Sequence, residues 1–337
     1  MSGVAAAETE TKPEKNADAA AGESDAREQA SSRPAPPVPL GVRFANPLEN
    51  QRFRVAYRFE RMERRGLLNG DRHLSPRNVI DDPRNQYDRA PRTLEVTVHT
   101  VQLAYAPHPR ATLIIEVPFL LKELETVHEL GARTKDSSQG VGDVGFTLLV
   151  PFIRKGNESS SFYIGFDIPT GSIRRGGDEM RLPFDLQIGN GTFDFEWGWT
   201  YRGEMDWLSW GGQVSGRHPL GKNDLKYRVG SRFDASAWGA VRLLAGWSAS
   251  LRLGWQKQNN IRTQGRDLTV EPILDPSDNP KKRGGTLIIV SPGLTFELPR
   301  FGNQRLAVEF GIPVHQDLDG PQLKQDWSVK AGWQWAF

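Results

Sequence analysis

The chain closes on "WSVKAGWQWAF", residues 327–337. At the two-residue period of a strand, Trp327, Val329, Ala331, Trp333, Trp335 and Phe337 share one face, while Asp326, Ser328, Lys330, Gly332, Gln334 and Ala336 share the other. One face seeks an apolar surrounding and the other seeks water. Two architectures satisfy this pattern: a sandwich that buries the aromatic row against a second sheet, or a membrane strand with lipid on one side and a polar lumen on the other. The connections along the rest of the chain separate the two.

Period-2 runs mark about twelve strands by the alternation rule. They fall near 52–61, 93–106, 110–123, 142–153, 160–169, 190–202, 207–217, 232–244, 246–257, 284–298, 304–314 and 325–337. Most have about the 9–11 residues that cross a bilayer at a tilt, longer than the usual 5 or 6 of a soluble strand. Long and short connections alternate between them. The long "MERRGLLNGDRHLSPRNVIDDPRNQYDRAP" precedes the short "PHPR", and "TGSIRRGGDEMRLPFDLQIG" precedes "RGEMD". Later, "QNNIRTQGRDLTVEPILDPSDNPKKRG" precedes "PRFGN". An up-and-down barrel of the outer-membrane type keeps this alternation, whereas Greek-key connections have no reason to. The fold class expected is therefore all-β, a transmembrane antiparallel barrel.

The faces point the same way. Phe193, Phe195, Trp197, Trp199 and Tyr201 oppose Asp194, Glu196, Gly198 and Thr200. Trp247 and Trp255 stand at opposite ends of one apolar face, as interfacial aromatic girdles require. Trp197, Trp199, Trp247, Trp255, Trp327, Trp333, Trp335 and Phe337 are thus assigned to the lipid-facing side. The polar parity assigns Arg52, Arg54, Arg58 and Glu60 of the first strand to the lumen, with Glu95 and His99 of the second and Glu116 of the third. It also assigns Asp167, Asp194, Glu196, Arg217, Arg242, Arg252, Arg305, Glu309, Asp326 and Lys330. These charges have a structural role, pairing across strands, and a functional one, focusing a field that selects solutes by charge and size. Three strands alternate less cleanly: the second, the eighth with Trp238 on its polar parity, and the tenth with Pro292. Bulges or contacts with a plug are expected there.

Composition limits the partners. Of 337 residues, 43 are Lys or Arg and 41 are Asp or Glu, so the concentrated basic footprint of a nucleic-acid binder is missing. Zero cysteines excludes a disulfide scaffold, thiolate metal sites and a cysteine nucleophile. No run approaches the roughly 18 apolar residues of a spanning helix. A mean hydropathy of -0.53 does not oppose a barrel, because only alternate residues face lipid. Residues 1–45 are rich in Ala, Glu and Pro and are expected as a disordered arm before a barrel over 46–337. The opening "MSGVAAAETETKPEKNADAAAGES" has no apolar signal core, which favours a third reading, a soluble β protein.

Several stretches, in this order, resemble the outer-membrane channel family named after the MetA pathway of phenol degradation. They are "YRFERMERRGLLNGDR" from Tyr57, "LAYAPHPRATLIIEVPF" from Leu103, "GVGDVGFTLLVPF" from Gly140, "IPTGSI" from Ile168, "LPFDLQIGNGTFD" from Leu182, "SAWGAVRLLAGWSASLRL" from Ser236 and "EFGIPVHQDLDGPQL" from Glu309. The resemblance covers about residues 50–337. It implies a signal peptide, an outer-membrane location and passive passage of small solutes, with aromatic or hydrophobic compounds as candidates. The closing strand ending on Phe337 also resembles the signature read by the barrel-insertion machinery. Outer-membrane lipid, that machinery and a small solute are the expected partners, and a monomer is the expected state.

The remaining motifs carry less. "GVGDVG" leads into a strand rather than a helix, so no helix N-terminus is there to hold a phosphate. "DLDGPQL" sets Asp317 and Asp319 before Gly320 without the later ligands of a calcium loop. The histidines, His73, His99, His108, His128, His218 and His315, have no metal-ligand spacing. No catalytic residue, metal or cofactor is assigned. The alternative is the same barrel serving as an enzyme or binding scaffold without conduction.

Overall fold

The alternating runs pair in sequence order around a closed sheet in a computed structural model that describes residues 35–48, 51–84, 87–176, 181–244, 246–263, 274–298 and 302–337. In chain order come β1 (Phe53–Gly70), β2 (Arg72–Leu74), the short helix α1 (Pro76–Ile80), β3 (Arg89–His108), β4 (Ala111–His128), β5 (Arg133–Val141), β6 (Val144–Lys155), β7 (Glu158–Ile168) and β8 (Phe193–Glu204). They continue as β9 (Leu208–Leu220), β10 (Tyr227–Arg228), β11 (Arg232–Arg242), β12 (Trp247–Gln258), β13 (Arg262–Thr263), β14 (Gly285–Leu298) and β15 (Gln304–Ala336). Each barrel strand pairs antiparallel with its neighbours, and β15 returns to β1, from Arg54↔Ala336 upward. Eleven strands form the barrel, with β2 and β5 joined at the rim.

The eleventh strand accounts for the twelfth run. One arm of β15 pairs with β14 from Leu298↔Gln304 to Gly285↔Leu318, and the other pairs with β1. The arms fold onto each other, with Gln316 and Gln325 exchanging two hydrogen bonds of 2.8 Å and Phe310 stacked on Trp327. All twelve expected crossings are therefore present.

Strands on the long-loop side run further than expected. β1 continues to Gly70, and β3 and β4 extend to Arg89 and His128. Beyond the apolar belt their outward residues are charged: Arg61 pairs with Glu95 (2.6 Å), Arg92 with Glu125 (2.8 Å) and Lys135 of β5 with Glu123 (2.7 Å). Alternation of apolar with polar residues fails there because both faces are polar, although the backbone ladder continues.

The outer wall is apolar between its aromatic ends. Trp247 and Trp255 are 41% and 40% exposed, with Leu251 and Leu253 exposed between them. Eight residues of strand span about 27 Å, which at a tilt of about 40° is about 21 Å of height, within a barrel's apolar band of about 25 Å. At the short-turn end Trp335, Phe337, Phe53 and Tyr105 form a chain of ring contacts. The irregular strands have separate causes. β14 and β15 shift register at Ile288/Ile289, opposite Pro313, which has no N–H for the ladder. β3 shifts at Pro91/Thr93. β11 is regular, and its inward Trp238 packs on a segment inside the barrel.

That segment corrects the expected boundary at 45/46. Residues 35–45, read as the end of a disordered arm, lie with 46–48 inside the barrel; the arm's residues 1–34 lie outside the described residues. Val38, Val42 and Ala45 cluster on Trp238, while Phe44 and Leu48 pack with Ala104, Ile114, Leu149 and Tyr163. The arm's composition hides these few apolar side chains among prolines. Those prolines also lower the entropy lost when the segment is ordered.

Candidate functional site

Inside the barrel the segment enters and leaves at the short-turn end and turns midway. Arg202 of β8 donates to the Pro36 carbonyl (3.2 Å), and Arg54 at the start of β1 donates to the Asn46 carbonyl (2.8 Å). Leu48 N–H donates to Thr112 Oγ1 (3.0 Å). At the turn, Gly41 N–H donates to Glu309 Oε2 (2.9 Å). A Cβ at Gly41 would stand 2.5 Å from both the Arg252 guanidinium and the Glu309 carboxylate, so the backbone approaches only because no side chain is there. Arg43 carries the plug's charge. It donates to Glu116 Oε2 (2.5 Å) and Glu196 Oε1 (3.4 Å), and its carbonyl accepts from Gln213 Nε2 (2.6 Å).

Around this turn the wall charges are paired. Arg58 reaches Glu116 (3.4 Å), Arg217 bridges Asp167 and Asp194 (3.0 Å to Asp194), Arg252 pairs with Glu309, and Lys330 with Glu60. Asp194 is fully buried and also accepts from Asn190 and Thr192, both at 2.7 Å. Removing such carboxylates from water is costly, and each is compensated by a guanidinium, an ammonium or several donors.

Above the turn lies a chamber of about 700 Å³. Leu40, Gly41 and Arg43 form its floor, the barrel strands its wall, and Phe184–Asn190 with Arg283–Gly285 its roof. The roof segment is anchored by Asp143, whose carboxylate accepts from the N–H groups of Gly171 and Asn190, both at 2.9 Å. This is the role of the aspartate in "GVGDVG".

Of the residues assigned to the lumen by parity, Arg58, Glu60, Glu116, Asp167, Glu196, Arg217, Arg252 and Lys330 line the chamber. Asp194 lies buried behind Arg217, and Glu309 holds Gly41. Arg54 is at the foot of the plug, and Arg305 pairs with Glu297 (3.0 Å). Arg242 ends β11 at the short-turn rim, its N–H donating to the Trp207 carbonyl (2.9 Å). Asp326 falls in the register shift between Trp327 and Gln325 and pairs with Lys324 (3.5 Å).

Three of these residues lie outside the lumen. Arg52 precedes β1 and reaches the Tyr105 hydroxyl (3.2 Å) on the outer surface. His99 bonds Tyr57 Oη (2.6 Å) on the outer wall, and Glu95 pairs with Arg61 on the outer side of the extended rim. β3 carries apolar residues on both parities, with Val98 facing the chamber and Val101 and Leu103 exposed, so alternation selects no face. Parity did not assign Arg43, Arg64, Lys122, Asp185, Arg232, Asp234 and Arg283 to the chamber they line. Arg232 and Asp234 share the parity of Arg242, a usable signal, whereas Arg43 sits in the arm and Arg64 in a stretch that reads as loop.

The aromatic assignments occupy the outer wall. Trp199, Trp247, Trp255, Trp335 and Phe337 are exposed, Trp197 covers Gly216, Trp327 stacks on Phe310, and Trp333 Nε1 donates to Gln304 (2.9 Å). Among the described residues no group of three His, Asp or Glu side chains is placed to hold a metal ion. His218 bonds Ser231 (2.6 Å) on an exposed rim, and no described carboxylate is bonded to its ring.

A closed barrel with an apolar outer belt, aromatic ends and a charged interior defines a bacterial outer-membrane β-barrel. The chain belongs to the family described as "MetA-pathway of phenol degradation", whose model matches residues 90–311, about two thirds of its length. The fold is similar to that of the COG4313 outer membrane channel from Pseudomonas putida F1, at 13% identity and a TM-score of 0.59, covering 89% of this chain and 100% of that one. Looser likenesses are to the transport unit of the autotransporter AIDA-I from Escherichia coli, at 10% identity and a TM-score of 0.48 over 94% of this chain and 97% of that one. A Pseudomonas aeruginosa FadL homologue follows at 9% identity and 0.42, over 86% and 91%. No curated protein matches the sequence significantly.

Proposed function

We propose that the chain is an outer-membrane channel through which small solutes, aromatic and other hydrophobic compounds among them, diffuse down a gradient. The short-turn end faces the periplasm and the long loops form the outer mouth. The observation that carries this reading is the chamber floor. It is one short segment held by ion pairs and hydrogen bonds, not part of the wall, so its displacement joins the chamber to the short-turn end without breaking a barrel ladder. The paired charges lining the way form the filter. Phe337, exposed at the end of the closing strand, serves as the signal for the insertion machinery, and the barrel works as a monomer with no catalytic residue.

The test is conductance of the refolded full chain in a planar bilayer, compared with a variant lacking residues 35–48. Frequent openings in the variant and rarer ones in the full chain are expected. Silence from both at every voltage would remove the channel reading in favour of the second, a binding scaffold, which the plugged floor favours.

A further inference from the structure

Charge balance changes along the lumen. Around the plug's turn, Arg43, Arg58, Arg217, Arg252 and Lys330 each meet a carboxylate. Under the roof, Arg64 of β1 and Lys122 of β4 face Asp185 and Arg283, with Arg232, itself paired with Asp234, also near Arg64. Arg283 already holds Asp185. Among the described residues Arg64 has no hydrogen bond or ion pair, and Lys122 donates only to the Gln187 carbonyl (2.6 Å). Two cations whose nearest common counter-charge is already engaged are costly to keep away from bulk water. An anion entering the chamber relieves that cost.

We propose that this end of the chamber is a binding site for small carboxylates with an apolar body. Arg64 offers the planar fork that suits a carboxylate, and Lys122 supplies a second positive donor. Met62, Val98 and Leu120 on the same walls provide apolar surface for the rest of the molecule. Phe184 and Arg283 overhang the site and reduce its contact with bulk solvent, which strengthens such contacts. The proposal refines the solute-passage reading and takes its physiological sense from it, but it is tested by equilibrium binding.

Benzoate and its neutral counterpart benzyl alcohol are titrated calorimetrically into the full chain in detergent. Benzoate is expected to bind at least tenfold more tightly, and Arg64→Gln or Lys122→Gln to abolish that preference while leaving benzyl alcohol unchanged. Arg64→Lys, which keeps the charge, retains part of it. Heat-modifiable gel migration establishes that each variant is folded; if Arg64→Gln is not, Lys122→Gln decides. Equal binding of the two compounds to the unaltered protein, or a benzoate preference that survives both substitutions, overturns the proposal. A silent bilayer recording with benzoate binding intact would instead remove only the passage reading.

Discussion

The two halves of the lumen solve the same problem differently. Towards the short turns, the plug packs on Trp238 and Tyr163, and the charges at its turn are matched within a few ångströms. Towards the long loops, the wall encloses about 700 Å³, and cations outnumber carboxylates beneath the roof. The difference shows that interior charge in a barrel is not one kind of feature. Where it is paired and packed it acts as a fastener, and where it is unpaired and facing space it is available to a ligand.

Arg43→Ala should break the fastened half most severely. It leaves Glu116 with the longer Arg58 contact and the Gln102 amide (3.1 Å), and frees Glu196 from the plug. Breaking a fully buried pair by removing one partner costs about 3–5 kcal/mol; Glu116 is buried but Arg43 is 39% exposed, so the loss should lie towards the lower end of that range. The expected outcomes are a lower unfolding midpoint in detergent and more frequent bilayer openings; unchanged stability would mean that Arg43 is not a fastener. Glu309→Gln is milder, because the amide oxygen still accepts from Gly41 while Arg252 loses its counter-charge. A loss of about 2 kcal/mol, within the range for bonds to charged groups, should appear in urea unfolding from the folded barrel.

How much of this could be read in advance follows from what alternation can detect. Trp247 to Trp255 and Phe193 to Tyr201 alternate without error, since lipid outside and charge inside leave one register for each strand. β3 shows the limit: with Val96 and Val98 inside and Val101 and Leu103 outside, His99 has no parity to follow. The plug shows a different limit. Val38, Val42 and Phe44 have no period, and their burial depends on a cavity that exists only after β1 has met β15. Arg64 was hidden because the outward side of β1 becomes charged beyond Phe59, so a strand reads as a loop.

The open half responds differently to substitution. Arg64→Gln removes a cation with no described partner, so no fastening is lost. Its expected effect is no destabilisation beyond about 0.5 kcal/mol, the scale of changes that break no specific feature. Measured beside Arg43→Ala in the same unfolding assay, it gives the comparison a sharp form. If the two arginines cost the same, the halves do not differ in kind.

The smallest expected effect lies outside the wall, in residues 274–283, the segment that leads into the roof at Arg283. Burial pushes the Asp278 carboxyl up to about 7, helped by repulsion from Asp275, whose own carboxyl burial pushes up to about 6. Once the segment detaches, both should titrate near the ordinary value, about 4. Between about 4 and 7 the docked segment therefore binds more protons than the detached one, so docking is strongest in acid and weakens as pH rises through 6 and 7. Amide exchange over residues 274–283, corrected for the intrinsic pH dependence of exchange, should show greater protection at pH 5 than at pH 8, with the rest of the barrel unchanged. Asp278→Asn should flatten most of that slope, because it cannot acquire the charge that burial disfavours. Protection that grows with pH would mean that Arg181 and Arg283, which oppose the shift, outweigh burial, and the segment would then be held by the same kind of pairing as the plug.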